Sequence, residues 1–147
     1  MTRSEIKVPT LKSVMTPFPY AVEAENTLSE AVEIMRSHNI HHLPVISDET
    51  VVGILTEQDV KWALDPLAPS DSGRDLQVKD VCRKEIFKAE IDQPLQAVLR
   101  EMVKLRNDCV LVMKNHRVVG VFTTTDACSA LADIIEKIEE TPEDSVA

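Results

Sequence analysis

Apolar residues recur at helical spacing in two separate stretches of the chain. Leu28, Ala31, Val32 and Met35 fall at i, i+3, i+4 and i+7, as do Leu95, Val98, Leu99 and Met102. One apolar stripe at that period predicts an amphipathic helix in each stretch. Thr27 with Glu30 forms a capping box for the first helix. Pro94 opens the second, where a missing N–H does no harm. A short extended segment precedes each helix, at residues 20–22 and 87–89. Two strand-sized apolar runs follow each one: 43–46 then 51–55, and 110–113 then 118–122. Polar four-residue turns, 47–50 and 114–117, separate the runs, which is a hairpin pattern. A further helix is predicted from Thr56 to Leu64, and its partner from Thr123 to about Glu140. Each stretch reads β-α-β-β-α.

The two stretches are copies. Shifted by 67 positions, residues 14–59 match residues 81–126 without a gap, and 10 of the 46 positions are identical. The run Val51-Val52-Gly53 matches Val118-Val119-Gly120, Thr56 matches Thr123, and Asp59 matches Asp126. The boundaries expected from this are a first repeat at 10–64, a linker at 65–76 and a second repeat at 77–138. An acidic flexible tail is expected at 139–147. A unit of this size rarely buries enough core alone. The expected architecture is therefore α+β, with two pseudo-twofold-related repeats packed sheet to sheet around a shared core and two equivalent clefts between them.

Charge and composition narrow the function. A net charge of -9 argues against binding a phosphate backbone, which needs clustered Lys and Arg. No apolar run approaches the roughly 20 residues of a membrane span. No secretory h-region stands at the start, so a cytoplasmic protein is expected. Cys82, Cys109 and Cys128 are odd in number and lack CxxC spacing, which suits reduced thiols. Three glycines leave no room for a glycine-rich phosphate loop. No nucleophile motif is present, and no catalytic residue is assigned.

Gly53-Ile54-Leu55-Thr56-Glu57-Gln58-Asp59 and Gly120-Val121-Phe122-Thr123-Thr124-Thr125-Asp126 share the pattern G-h-h-T-x-x-D. Each lies where a strand ends and a helix begins, a place that offers unpaired N–H groups and partial positive charge. A Thr hydroxyl can donate to a ribose or phosphate oxygen, and an Asp carboxylate can accept from two vicinal ribose hydroxyls. T-x-x-D is also a capping box, and one copy alone would favour that plainer role. The glycine allows close approach of a backbone.

Val14-Met15-Thr16-Pro17, the helix, His42-Leu43-Pro44-Val45 and then Val52-Gly53-Ile54-Leu55-Thr56-Glu57-Gln58-Asp59 resemble a cystathionine beta-synthase (CBS) domain along its whole length. The second copy is similar but more divergent, and together they cover roughly residues 10–135. The resemblance implies a stand-alone Bateman module, commonly dimeric, that binds adenosine-containing ligands in its clefts. AMP, ADP, ATP and S-adenosylmethionine are the ligands implied, and no cofactor or metal. It also implies Asp59 and Asp126 on ribose hydroxyls, with Thr56 and Thr123 beside ribose or phosphate. Thr16 and Pro17 would border adenine.

The copies diverge at these positions. Met15-Thr16-Pro17 becomes Cys82-Arg83-Lys84, and Arg83 and Lys84 either serve a phosphate or are solvated cations. Tyr20 and Phe87 occupy equivalent positions and either pack on adenine or fill core. His38, His41 and His42 cluster; they read as ordinary strand or surface histidines first, with His42 a candidate phosphate contact and a metal site the least favoured reading. Trp62 reads as core or interface. Leu131, Ile134, Ile135 and Ile138 form a stripe longer than a small module needs, which suggests a homodimer. The expected function is a regulatory module that signals to an effector protein in trans, binding neither nucleic acid nor membrane. The alternative is a ligand-independent interaction scaffold.

Overall fold

The computed structural model describes residues 6–17, 20–67 and 76–140. Most of the expected linker and residues 141–147 of the expected tail lie outside them. A short helix α1 (Leu11–Val14) and a two-residue strand β1 (Thr16–Pro17) come first. The first repeat then runs β2 (Val22–Glu23), α2 (Leu28–His38), β3 (His42–Ser47), β4 (Thr50–Thr56) and α3 (Glu57–Ala63). After it come α4 (Val78–Val81), β5 (Phe87–Glu90), α5 (Leu95–Leu105), β6 (Cys109–Lys114), β7 (Arg117–Thr123) and α6 (Thr124–Glu139). No helix among the described residues is long and apolar enough to cross a membrane.

Local chemistry explains the boundaries. Thr27 accepts from the Glu30 N–H and Glu30 accepts from the Thr27 N–H, the reciprocal cap the sequence predicts. Asn39 ends α2 in the left-handed region, as Arg106 ends α5. The hairpin turns are shorter than the four residues expected. Strands β3 and β4 flank only Asp48-Glu49, and β6 and β7 flank only Asn115-His116. All four residues have positive φ, 51°, 62°, 52° and 65°. Two left-handed residues in succession match the twist of the flanking strands, so the tight turn wins despite polar residues on either side. Each hairpin carries the same irregularity, after Val45 and after Val112, which leaves Val52 and Val119 unpaired. Every non-glycine residue with positive φ among the described residues has its counterpart 67 positions away.

Two sheets result, in the orders β2-β3-β4 and β1-β7-β6-β5. In each, the first strand of the repeat runs parallel to the second, and the hairpin is antiparallel. Ile54 of the first sheet and Cys109, Leu111, Met113 and Val121 of the second bury one another between the sheets. This is the shared α+β core that a duplicated unit of about 60 residues requires.

The repeats are also interlocked. Leu11, fully buried, packs with Val14 and Met15 into the core of the second repeat. Val78, also fully buried, packs with Val81 and Cys82 into the core of the first. Strand β1 pairs with β7, Thr16 opposite Val121. At the equivalent place Arg83 and Ile54 exchange both backbone hydrogen bonds at 2.9 Å. The two motif glycines permit these crossings. A Cβ on Gly120 would meet Met15 Sδ at 2.6 Å and the Thr16 carbonyl at 2.8 Å. One on Gly53 would meet the Arg83 carbonyl at 2.7 Å and Cys82 Sγ at 2.9 Å.

Candidate functional site

The crossing of the repeats sorts the candidate residues into two clefts. Ile54, Thr56, Arg83, Lys84, Phe87, Arg106, Asn107, Asp108 and Cys109 line a cavity of about 430 Å³ together with Glu85, Ile86 and Leu105. Val121, Thr123, Thr16, Pro17, Tyr20, Asn39, Ile40, His41 and His42 line another of about 420 Å³ with Thr125 and Asp126. The first nine residues of each are counterparts, 67 positions apart. One site has been built twice, each time from the motif of one repeat and the leading segment of the other. Both volumes fall in the range of small-molecule sites.

In the second cleft Thr123 is the N-cap of α6. Its hydroxyl accepts from the Asp126 N–H at 3.2 Å, and Asp126 Oδ2 accepts from the Thr123 N–H at 2.9 Å. The plainer reading of T-x-x-D therefore holds here, because the pair is a complete capping box. The other carboxylate oxygen, Oδ1, turns outward and accepts from the Thr16 hydroxyl at 3.0 Å.

In the first cleft Thr56 caps α3 by accepting from the Asp59 N–H at 3.1 Å. The Asp59 carboxylate is turned elsewhere. Arg83 Nε donates to its Oδ2 at 3.0 Å and Arg83 Nη2 to its Oδ1 at 3.3 Å. Arg83 Nη1 lies 4.0 Å from the Asp108 carboxylate. Arg83 thus replaces Thr16 at the equivalent position and holds the equivalent carboxylate with two bonds rather than one.

The aromatics differ as well. Tyr20, 36% exposed, stacks on His38 with ring centroids 3.7 Å apart. That contact engages one ring face that the sequence assigned to core or adenine. Phe87 is half-buried against the core of the second repeat and still lines its cleft. The histidines do not converge. His38 stacks on Tyr20, His41 pairs with Glu57, and His42 faces the second cleft. Among the described residues no group of three or more His, Cys, Asp or Glu could hold a metal ion.

Burial lowers the His42 pKa. Asp108 opposes that shift, His41 and Arg83 reinforce it, and Asp126 opposes it weakly. Its counterpart, Cys109, is raised to about 12 by burial, reinforced by Asp108. Glu57 is lowered by its hydrogen bonds from His41 and then Lys61. Trp62 is 66% exposed on α3 and fills no core.

Arg106, Asn107 and Asp108 were not among the candidates drawn from the sequence, nor were Asn39, Ile40 and Thr125, and His41 was considered only as part of a histidine cluster. Residues 39–41 and 106–108 follow the first helix of their repeats directly. The 67-residue register aligns the two groups, and that was the available signal. No motif marks them, because a helix C-terminus is defined by backbone geometry more than by residue type.

The sequence model of the CBS domain matches residues 11–65 and 78–133. L-aspartate semialdehyde sulfurtransferase of Methanocaldococcus jannaschii is 27% identical over 118 residues, which cover 79% of this chain and 22% of the relative. Hypoxic response protein 1 of Mycobacterium tuberculosis is 26% identical over 125 residues, 84% of this chain and 86% of that protein. The chain spans about a quarter or less of the larger enzymes it matches. Among solved structures, a CBS domain pair crystallised with 5'-methylthioadenosine and S-adenosyl-L-methionine is similar at a TM-score of 0.70. It is 25% identical and covers 86% of this chain and 98% of its own.

Proposed function

The chain belongs to the CBS domain family, and we propose that it is a non-catalytic regulatory module that binds adenosine-containing ligands between its repeats. The observation that carries this reading is the duplicated cleft. Each copy sets a Thr at a helix start against the leading segment of the other repeat. Asp126 lines its cleft, whereas Asp59 stands behind the lining of the other and meets it through its hydrogen bonds with Arg83. A ligand there touches both repeats. Thr56 and Thr123 lie beside its ribose or phosphate, and Asp59 and Asp126 accept its ribose hydroxyls. Thr16, Pro17 and Tyr20 border the base in one cleft and Phe87 in the other. His42 faces the ligand as a neutral imidazole. The crystallised relative with two adenosine compounds supports the same ligand class.

Such a ligand acts by population shift. It favours the relative setting of the repeats to which it binds more tightly, and only by that difference in affinity. The altered surface is read by a partner protein. Helix α6 supplies a second surface for a homodimer, since none of its residues is buried and Leu131, Ile135 and Ile138 stand exposed.

Isothermal titration with AMP, ADP, ATP and S-adenosylmethionine tests the reading, with Asp59→Ala and Asp126→Ala alongside. Loss of a carboxylate that accepts two hydroxyls weakens binding by about tenfold to a hundredfold. Saturable binding lost in one variant supports the sensor and identifies the cleft. No heat from any of the four supports a second reading, the ligand-independent interaction scaffold. One feature favours that scaffold: Asp59 and Asp126 already have partners in Arg83 and Thr16.

A further inference from the structure

We infer that the two clefts divide adenosine ligands by charge. The Asp59 cleft takes a phosphate-bearing nucleotide through Arg83, Lys84 and Arg106, and the Asp126 cleft takes an uncharged or sulfonium-bearing adenosine compound. This deepens the function proposed above and rests on it.

The clefts share nine equivalent positions, and three of them change from neutral to cationic. Thr16 becomes Arg83, Pro17 becomes Lys84, and Asn39 becomes Arg106. The described lining of the Asp126 cleft contains no lysine or arginine. A nucleotide phosphate there would lie near the Asp126 carboxylate with no lysine or arginine among the described lining to offset it. Burial holds His42 toward the neutral form and His41 is paired with Glu57, so electrostatics disfavours the arrangement.

Arg106 adds a separate observation. It occupies the left-handed C-cap of α5 at a φ of 53°. Its counterpart Asn39, at 52°, is a residue type that tolerates this region. A long cationic side chain at a strained position beside a cleft is better explained by what it faces than by the turn it makes.

The cations of the Asp59 cleft are not surplus charge. Arg83, Lys84 and Arg106 are set against Asp59, Glu85 and Asp108. Arg83 is committed to Asp59 through two hydrogen bonds. A ribose diol on Asp59 releases Arg83, and a phosphate then receives it. A nucleoside alone would free Arg83 and leave it poorly paired, and inorganic phosphate alone would strand Asp59. Only a molecule with both groups exchanges the ion pair without leaving a charge behind. The cleft is thus selective for the nucleotide over either half.

The test is titration of the full chain with AMP, adenosine and inorganic phosphate. The variants are Arg83→Thr and Arg106→Asn, which install the residues of the other cleft, together with Asp59→Ala, Asp126→Ala and Thr16→Arg. A cooperative thermal melt establishes that each is folded. The expected result is AMP binding that is lost in Asp59→Ala and weakened about tenfold or more in Arg83→Thr. Adenosine binding is expected to survive Arg83→Thr and to be lost in Asp126→Ala. Phosphate alone is expected not to bind, and Thr16→Arg to gain a second AMP site. AMP affinity unchanged in both Arg83→Thr and Arg106→Asn would overturn the inference and leave the proposed function standing. So would AMP binding lost only in Asp126→Ala. Failure of every adenosine compound to bind wild-type protein would overturn both.

Discussion

The Thr16 hydroxyl donates to the Asp126 carboxylate at 3.0 Å, joining residues 110 positions apart in the chain. The same carboxylate caps α6 through the Thr123 N–H. One side chain therefore fastens the leading segment of the first repeat to the helix start of the second. Thr16→Val removes only the long-range bond and is expected to cost about 0.5–1.5 kcal/mol. Asp126→Ala removes that bond and the cap together and is expected to cost more. Urea unfolding of both variants checks the order. Equal losses would mean that the cap contributes nothing beyond the Thr16 bond, and no loss in Thr16→Val would mean that the bond itself contributes nothing.

Gly53 and Gly120 are required by the crossing strands. A methyl at either position falls within 3 Å of a backbone carbonyl of the other repeat. Gly120→Ala and Gly53→Ala are expected to destabilise by about 1–3 kcal/mol, as overpacked positions do. The contact of Gly120 with Met15 Sδ is relievable, since a thioether can move, but the Thr16 carbonyl cannot. Met15→Ala in the Gly120→Ala background should therefore recover only part of the loss. Denaturant midpoints measure it, and full recovery would place the clash on the side chain alone.

His42 gives a pH dependence of definite sign. Burial holds its folded pKa below the ordinary imidazole value. Above that value both folded and unfolded states are neutral at this site, and the contribution to stability is complete. As pH falls below it, the unfolded chain takes up a proton that the folded chain resists, and stability is lost. The urea midpoint of the wild type is expected to fall between about pH 7.5 and about pH 5.5. His42→Gln is expected to flatten that slope. An unchanged slope would assign the effect to other groups.

The three thiols differ in environment. Cys128 is exposed, Cys82 is half-buried and raised in pKa by burial, and Cys109 is buried and raised to about 12. Reaction with a thiol reagent at about pH 8 should proceed fast at Cys128, slowly at Cys82, and at Cys109 only on unfolding. Mass mapping of the modified peptides reads the order. Rapid labelling of Cys109 in native protein would contradict the packing between the sheets.

The apolar face of α6 predicts self-association. Leu131 is 58% exposed and Ile135 47%. Leu131→Glu combined with Ile135→Glu is expected to convert a dimer to a monomer in light scattering after gel filtration, without lowering the melting temperature of the monomer. A wild-type monomer at micromolar concentration would remove the dimer from the proposal.

Much of this molecule was legible in one dimension. The helical stripes at Leu28 and Leu95, the paired apolar runs and the gap-free match at 67 residues are all local or periodic signals. They establish the α+β class, the duplication and the motif positions, because helix and strand periods are written directly in residue order. The turn length was not legible. A two-residue left-handed turn is selected by strand twist, and Asp48-Glu49 and Asn115-His116 do not advertise it. Nor was the crossing. Residue order did not say which motif Thr16 serves, and in the fold it serves that of the other repeat. The partnership of Arg83 with Asp59 follows from that crossing, and so do the three cations gathered in one cleft. A repeated sequence determines the parts and their symmetry. Which copy completes which site depends on the burial of Leu11 and Val78 in the opposite core, and only the tertiary structure decided that.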